Sequence, residues 1–542
     1  MPVATAAIPN PTDDGLWRET VAGVSRGDFK GAAGAIRKLH AEGPLVEQVR
    51  KWLDEYEAEQ EARRAIDRED FERFVGYAKA RVERKEYWRA LSWATRALDC
   101  AADREAFLQT PWLLDLVNAS LEKAQAYRKD SDWRNAWSIY ARLSVLYENE
   151  PRYQKLERQA GTHLRLNAMF REKNPWEENI EKVRWSDAEK ALNYIGMYYV
   201  EEADFRLIAE RGLEQLLYLA ESKTAQERVK GLQNEDDRND FESRISRRLE
   251  QIRSAARVDR RTCVEHFRRV VHKINAQTVR LPEPLIVSEL MRGALEPLDD
   301  FTTVIWPRAS KEFEKHTRGD FPGVGISIIK NKNDEIEVVS PLEDTPAYRA
   351  GIQAGDVITD VDGKSLKGFS VNKVVETITG PEGTAVTLTI RRNDKSIDFP
   401  LTRARVRIRS VKGVRRDPRD EERWDHWLDR QRGIGYVRVT NFQSNTVEDT
   451  ENVLAELRGL KGLVLDLRGN PGGLLNAAWK MASLFLGRDE AVVSTRGRHK
   501  SEDQSFPALS EGPYAGIPLV VLVDERSASA SEIVSGAIRD NR

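Results

Sequence analysis

Little in this sequence points to a stapled or metal-held structure. Only two of its 542 residues are cysteines, Cys100 and Cys263. They lie far apart and form no CxxC pair, so neither a disulfide framework nor a metal site is expected. No apolar run approaches membrane-spanning length. The first dozen residues lack a basic stretch followed by an apolar core, so they do not read as a signal peptide. Residues 1–12 are expected to form a disordered leader. A dominant charge is also missing: 86 basic side chains face 88 acidic ones, for a formal net charge of −2. That balance removes any global bias toward nucleic acid and leaves no acidic tail. Charge itself is plentiful, at 32% of residues beside 40% hydrophobic ones. This mix suits globular domains with highly charged helices, and the length calls for several of them.

Residues 13–256 read as helical. Gly and Pro are sparse, and apolar residues recur at helical spacing between Arg, Glu and Lys. A loose repeat is visible. Phe29, Ala32, Ile36 and Leu39 are spaced like Tyr87, Ala90, Ala94 and Ala97, and like Trp133, Ala136, Tyr140 and Leu143. An aromatic followed by small residues lets helices approach closely. The pattern is similar to tetratricopeptide (TPR-like) hairpins, but the copies are unevenly spaced. An irregular helical domain explains it equally well.

Residues 257–320 continue as helix and form an entry segment ahead of a change in composition. From 321 to 405, β-branched residues alternate around turn signals such as Asp362-Gly363, which predicts a small β-rich domain. Short helices are expected near 346–351 and 371–379. Arg403, Arg405, Arg407 and Arg409 alternate with other residues, so period two puts them on one strand face, read as solvated. Residues 412–432 read as a charged surface excursion. From Gly433 onward, apolar strands alternate with helices, which implies a largely parallel sheet.

Two features carry chemistry. Gly323, Val324, Gly325 and Ile326 form a glycine-bracketed turn ahead of a strand. Such a turn can aim backbone N–H groups at a carboxylate, and the strand edge can accept an extended peptide. The second feature is a pair of strand-to-helix junctions, Asp466-Leu-Arg-Gly-Asn-Pro-Gly-Gly-Leu474 and Ser527-Ala-Ser-Ala-Ser-Glu-Ile533. Free N–H groups at such turns suit a developing oxyanion. A serine there can act as nucleophile, or it can simply cap the helix with Glu532 completing a capping box.

Taken together, the AGIQAGDVITDVDG segment at 350–363, the DLRGNPGGL and SASASEI motifs, the GYVRVTNF segment at 435–442 and the MRGALEPLDDF segment at 291–301 resemble the C-terminal processing peptidases. These are also called tail-specific proteases, serine peptidases that carry a PDZ domain. The resemblance covers about 257–542, in the family's order. It implies a multidomain α+β protein: an all-α N-terminal region, a PDZ domain at 321–405, and an α/β core of ClpP/crotonase-like type at 406–542. It assigns Ser529 as nucleophile and the N–H groups of Gly473 and Ala530 as oxyanion donors. It assigns Gly323–Ile326 to peptide binding. The general base of the family is a lysine in a GKG segment about two dozen residues past the serine, so it is expected beyond residue 542, and the core is expected to be incomplete. Lys480 and Lys500 lack the spacing to replace it. His426 and His499 sit in no motif and read as surface residues. The resemblance implies protein or peptide substrates with accessible C-termini, no cofactor and an exported, periplasmic-type location. The helical region offers a surface for a protein partner. The alternative is a non-catalytic binding protein that reads tails with its PDZ domain.

Overall fold

The computed structural model describes residues 11–40, 43–172, 174–417 and 420–542. The chain divides into two compact units. The first runs to Arg171 and includes Glu221–Ala225; the second holds Glu172–Ala220 and Gln226–Arg542. Of the expected leader, residues 1–10 lie outside the described residues. Pro11 and Thr12 already belong to the first helix, Pro11–Arg26.

The described residues of the first unit form helices and the turns between them. Each copy of the aromatic–alanine pattern opens a helix: Phe29–Arg37, Tyr87–Asp99 and Trp133–Leu146. An acidic residue precedes each one. Asp28 and Asp132 accept hydrogen bonds from the N–H groups of Gly31 and Asn135, which satisfies donors that a helix start would leave orphaned. Ala90, Ala94 and Ala97 are fully buried. Their small side chains let the Tyr87–Asp99 helix pack on both Pro44–Glu83 and Trp133–Leu146. The imidazole of His163 stacks on Trp133 with ring centres 3.9 Å apart.

The second unit opens with helices, including Trp185–Tyr198, Glu235–Ser254 and Glu283–Leu295. The helix Pro307–Arg318 then leads into the strands. These are β1 (Asp320–Gly323), β2 (Ile326–Lys330), β3 (Ile336–Pro341), β4 (Val357–Val361), β5 (Lys364–Ser365), β6 (Ala385–Arg392), β7 (Lys395–Thr402) and β8 (Ala404–Arg407). One sheet has the order β2-β3-β4-β6-β7, with β5 on β4, and β1 pairs with β8. Strand β2 is therefore an edge, and the helix Val371–Ile378 packs beside it. The short helices occur at Pro346–Arg349 and Val371–Ile378, as the sequence predicts.

Arg403 departs from the solvated-face reading. It is only 9% exposed. Its guanidinium donates to the carbonyls of Ile378, Thr377 and Ala385 and to the Thr384 hydroxyl, so it closes the C-terminal end of the Val371–Ile378 helix. The other three arginines are each paired, Arg405 with Asp320, Arg407 with Asp449 and Arg409 with Asp344. Each pairing carboxylate lies far off in sequence, where alternation along one strand gives no sign of it.

The next strands are β9 (Val411–Lys412), β10 (Arg415–Asp417), β11 (Asp420–Asp425) and β12 (Trp427–Asp429). They correct the surface-excursion reading. β10 and β11 form a hairpin, and β9 and β12 join a sheet. The Arg416 guanidinium lies over the Trp424 ring, its Cζ 4.4 Å from the ring centre, a cation–π contact that holds the charged head against the hairpin. That sheet is completed by β13 (Ile434–Val439), β14 (Gly462–Asp466) and β17 (Leu519–Leu522), in the order β12-β13-β14-β17. β13, β14 and β17 run parallel, in register from Ile434↔Gly462 and Leu463↔Leu519. Helices Thr446–Glu456 and Leu475–Ser483 make the crossovers. Between the second crossover and β17 lies a hairpin of β15 (Ala491–Thr495) and β16 (Gln504–Pro507) that the sequence reading missed. The multidomain α+β class is thus observed. No helix among the described residues is long and apolar enough to cross a membrane.

Replacing Arg403 with Met keeps the stem but leaves the helix-end carbonyls without their donor. Arg403→Met is expected to cost roughly 2–3 kcal/mol, read as a lower midpoint in equilibrium urea unfolding followed by circular dichroism.

Candidate active site

Parallel strands bring their carboxyl ends to one edge of a sheet, where loops collect. Here the edge gathers Asn441-Phe442 after β13, the Gly-rich turn after β14 and the serine-rich segment after β17. Asp466 ends β14 and is fully buried. It accepts hydrogen bonds from the Arg468 guanidinium, the Arg468 N–H and the Tyr436 hydroxyl at 2.6 Å. Burial pushes its carboxyl up, but the Arg468 and Tyr436 hydrogen bonds outweigh this and hold it at about 2.

Asn470 is the next fixed point and is also fully buried. Its Nδ2 donates to the Val439 carbonyl at 2.9 Å, and its Oδ1 accepts the Gly472 N–H at 2.9 Å. Its own carbonyl accepts the Ala528 N–H and the Ser531 hydroxyl. One asparagine thus ties together the ends of all three parallel strands. Gly472 and Gly473 have φ of +102° and +145°. A Cβ on Gly472 would stand 2.8 Å from the Ser529 Cβ and 2.9 Å from the Ala530 nitrogen, so the turn lies directly against the serine. Gly473 bridges to Phe442, with the Phe442 N–H donating to Gly472 O and the Leu474 N–H to Phe442 O.

The three alternating serines play different parts. The Ser527 hydroxyl donates to Leu467 O at 2.8 Å, and the Ser531 hydroxyl to Asn470 O at 3.0 Å. Both are struts between the two junctions. Ser529 is exposed and starts the helix Ala530–Asn541. Its backbone has φ 54° and ψ −111°, a region that costs a non-glycine residue about 1–3 kcal/mol. A sharp strained turn of this kind holds a serine hydroxyl out of the sheet edge. The Ser529 N–H donates to the Glu532 carboxylate at 2.6 Å. The capping interaction anticipated with Glu532 therefore engages the backbone of Ser529. The N–H groups of Gly473 and Ala530 donate to no acceptor among the described residues. Ala530 is the first residue of its helix, where partial positive charge gathers.

No lysine or histidine hydrogen-bonds to Ser529 among the described residues. Lys480 lines a separate pocket of about 620 Å³ with Glu448 and Glu451, and Lys500 lies in a short turn at Lys500–Glu502. His499 is exposed. His426 is half-buried, contrary to the surface reading. Its Nδ1 lies 3.2 Å from Tyr436 O, and burial pushes its pKa down. The sequence reading missed Asn470, Ser527, Ser531 and the Asp466–Arg468–Tyr436 cluster as structural members. Only the motif spacing that flagged Ser529 could have drawn attention to them.

The second site is a groove of about 150 Å³ between β2 and the Val371–Ile378 helix. Val324, Gly325 and Ile326 line it, with Ile328, Val375 and Ile378. Gly323 lies in β1 opposite Ala404 instead. Val324 is buried in the domain core. The Val324 carbonyl accepts the Ala347 N–H, and the Gly325 carbonyl accepts the Leu342 N–H and the Thr345 hydroxyl. Trans peptides then turn the N–H groups of Gly325 and Ile326 the opposite way. A Cβ on Gly325, at φ +78°, would lie 2.3 Å from Thr345.

Two outcomes test this geometry. Ser529→Gly relieves the backbone strain and is expected to raise stability by about 1 kcal/mol after the flexibility of glycine is discounted, whereas Ser529→Ala leaves it unchanged; thermal unfolding of both variants decides. Asp466 has its pKa lowered by folding, so its contribution is complete above the unfolded value and fades as pH falls toward 2. Asp466→Asn is expected to lose about 2 kcal/mol at pH 7, with the gap to the parent narrowing between pH 4 and pH 2 in urea titrations.

Residues 433–542 match the model of peptidase family S41, and residues 337–392 match a PDZ domain. The chain is 36% identical over 286 residues to the carboxy-terminal-processing protease of Bartonella bacilliformis, covering 51% of this chain and 62% of that protein. It is 35% identical over 246 residues to the "Probable CtpA-like serine protease" of Staphylococcus haemolyticus, covering 45% and 46%. The chain thus spans less than two thirds of the length of these relatives. Among solved structures, the photosystem II D1 C-terminal processing protease is similar at 23% identity and a TM-score of 0.28, covering 66% of this chain and 78% of that one. The chain thus carries a segment that matches a PDZ domain followed by one that matches peptidase family S41, and about half of it is similar to carboxy-terminal-processing proteases.

Proposed function

We propose that the protein is a serine endopeptidase that captures the C-terminal tails of protein substrates and cleaves them with Ser529. One observation carries this reading. Ser529 sits exposed and strained between two junctions whose Gly473 and Ala530 N–H groups have no acceptor among the described residues. The Ser529 Oγ would attack a backbone carbonyl while its proton passes to a general base. The carbonyl oxygen would become an oxyanion facing Gly473 and Ala530. Each such donor is worth roughly 10²–10³ in rate. Collapse would expel the amine, protonated by the same base, and leave an ester on Ser529 that water then hydrolyses. By family resemblance the base is a lysine past residue 542, partly buried so that its pKa falls. No cofactor enters this scheme.

The proposed domain organisation assigns 13–256 to a helical scaffold of tetratricopeptide-like hairpins that offers a partner surface. It assigns 257–320 to a helical entry segment, 321–405 to a PDZ domain with Gly323–Ile326 at its carboxylate end, and 406–542 to part of a ClpP/crotonase-like core. The rival reading, a binding protein without catalysis, keeps the scaffold and the groove but makes Ser529 only a helix start. It draws support from the lack of a lysine or histidine hydrogen-bonded to Ser529 among the described residues.

A serine-reactive acylating probe separates the two readings. A chain that also carries the proposed lysine is expected to label at Ser529 and to lose at least 10³-fold in peptide-hydrolysis kcat/KM as Ser529→Ala. Residues 1–542 expressed alone are expected to label slowly. Fast labelling of that chain would place the base within it, and no labelling of either form would leave only the binding role.

A further inference from the structure

The hairpin β15–β16 joins no other strand among the described residues. An isolated two-stranded hairpin is marginal, so this one has to be held from outside. Its base is held by both helices that leave the candidate site. β15 packs on the helix Ala530–Asn541, and the Asn541 Nδ2 donates to Ala491 O at 2.9 Å. In the helix Leu475–Ser483, the Trp479 Nε1 donates to Pro507 O at the end of β16, at 2.6 Å, and its ring meets Phe506 edge-on at 5.3 Å. The tip is held by Arg498. Its guanidinium donates to Gly196 O at 2.9 Å, Met197 O at 3.0 Å and Glu201 O at 3.0 Å, 297 to 302 positions earlier in the chain. These carbonyls lie at the C-terminal end of the Trp185–Tyr198 helix and just beyond it, where intrahelical donors run out and partial negative charge gathers. The loop that carries Arg498 is itself closed, the Gly497 N–H donating to the Asp503 carboxylate at 3.0 Å.

We infer that Arg498 is a positioning residue for the Ser529 site: it anchors the hairpin tip to the end of the Trp185–Tyr198 helix, and the hairpin braces the two helices whose starts present the Gly473 and Ala530 N–H groups. This rests on the peptidase reading and adds to it a support that lies outside the site. Ala530 is the first residue of one helix, and Gly473 stands two positions before the first residue of the other. The hydrogen bonds of Asn470 fix where these helices start. The hairpin fixes the direction in which they run. A tilt of either helix shifts a donor. A donor serves an oxyanion only within about 2.7–3.1 Å of it, and a misplacement of about 1 Å costs about 10²-fold in rate. Arginine suits the anchor because its rigid, permanently charged fork reaches three carbonyls at once, whereas a lysine ammonium is a point charge on a flexible stem.

The first readout is hydrogen exchange of residues 1–542, followed by mass spectrometry. Arg498→Met keeps the stem and removes the guanidinium. It is expected to speed exchange about tenfold in the helices Leu475–Ser483 and Ala530–Asn541 as well as in the hairpin, and to leave β13 and β14 unchanged. The second readout is peptide hydrolysis by a chain that also carries the proposed lysine. There kcat is expected to fall about tenfold with KM unchanged, the pattern of an interaction lost in the transition state. Arg498→Lys is expected to fall between the parent and Arg498→Met in both readouts. If Arg498→Met exchanges throughout, β14 included, it has failed to fold, and Arg498→Lys decides by the same two readouts. Faster exchange confined to the hairpin and the Trp185–Tyr198 helix makes Arg498 a local tether and overturns the assignment. An unchanged kcat, or a rise in KM alone, overturns it too while the peptidase reading stands. If the parent with the lysine hydrolyses no peptide, the peptidase reading fails and the positioning role falls with it, whatever the exchange shows.

Discussion

Asn470 is fully enclosed, yet every polar atom it presents is spoken for. A buried amide is worth keeping only if its donors and acceptors are satisfied, because an orphaned one costs about 1–3 kcal/mol. Here satisfaction requires Val439, Gly472, Ala528 and Ser531 to be in place together. Val439 ends β13, Gly472 follows β14, and Ala528 and Ser531 follow β17. The hydrogen bonds of Asn470 therefore convert three strand ends, held in register by the sheet, into one rigid junction. The position of Ser529, the φ of Gly472 and the direction of the Gly473 and Ala530 N–H groups all depend on it.

The parts of the fold legible in the sequence are those written in local pattern. The apolar strands β13, β14 and β17 stand out between helices of 3.6 periodicity, and the short helices inside the small β domain follow their turn signals. Ser529 is legible because two motifs lie at a recognisable spacing. Its neighbours Ser527 and Ser531 look the same in the sequence. Their difference lies in Leu467 O and Asn470 O, some 60 positions away, which no local pattern reveals.

The failures share that cause. Arg403 belongs to an alternating series, and alternation reports which face a side chain takes without saying what waits there. What waits is the end of a helix whose last carbonyls need a donor. Residues 412–432 are rich in charge, and charge suggests solvent. A charged head can itself pack on an aromatic ring, as the Arg416 guanidinium does on Trp424, so composition understates how much of this segment is ordered into strands. His426 is half-buried by the same neighbourhood.

The strain at Ser529 has a consequence for when the site exists. A left-handed serine is held there by contacts that span some 60 residues, not by its own neighbours. Such a conformation requires that β14 and β17 have paired and that the junction has closed. A nascent or partly frayed molecule carries the serine but in a relaxed backbone, turned from its N–H partners. The strained geometry is thus a property of the finished fold, absent from immature copies of the chain.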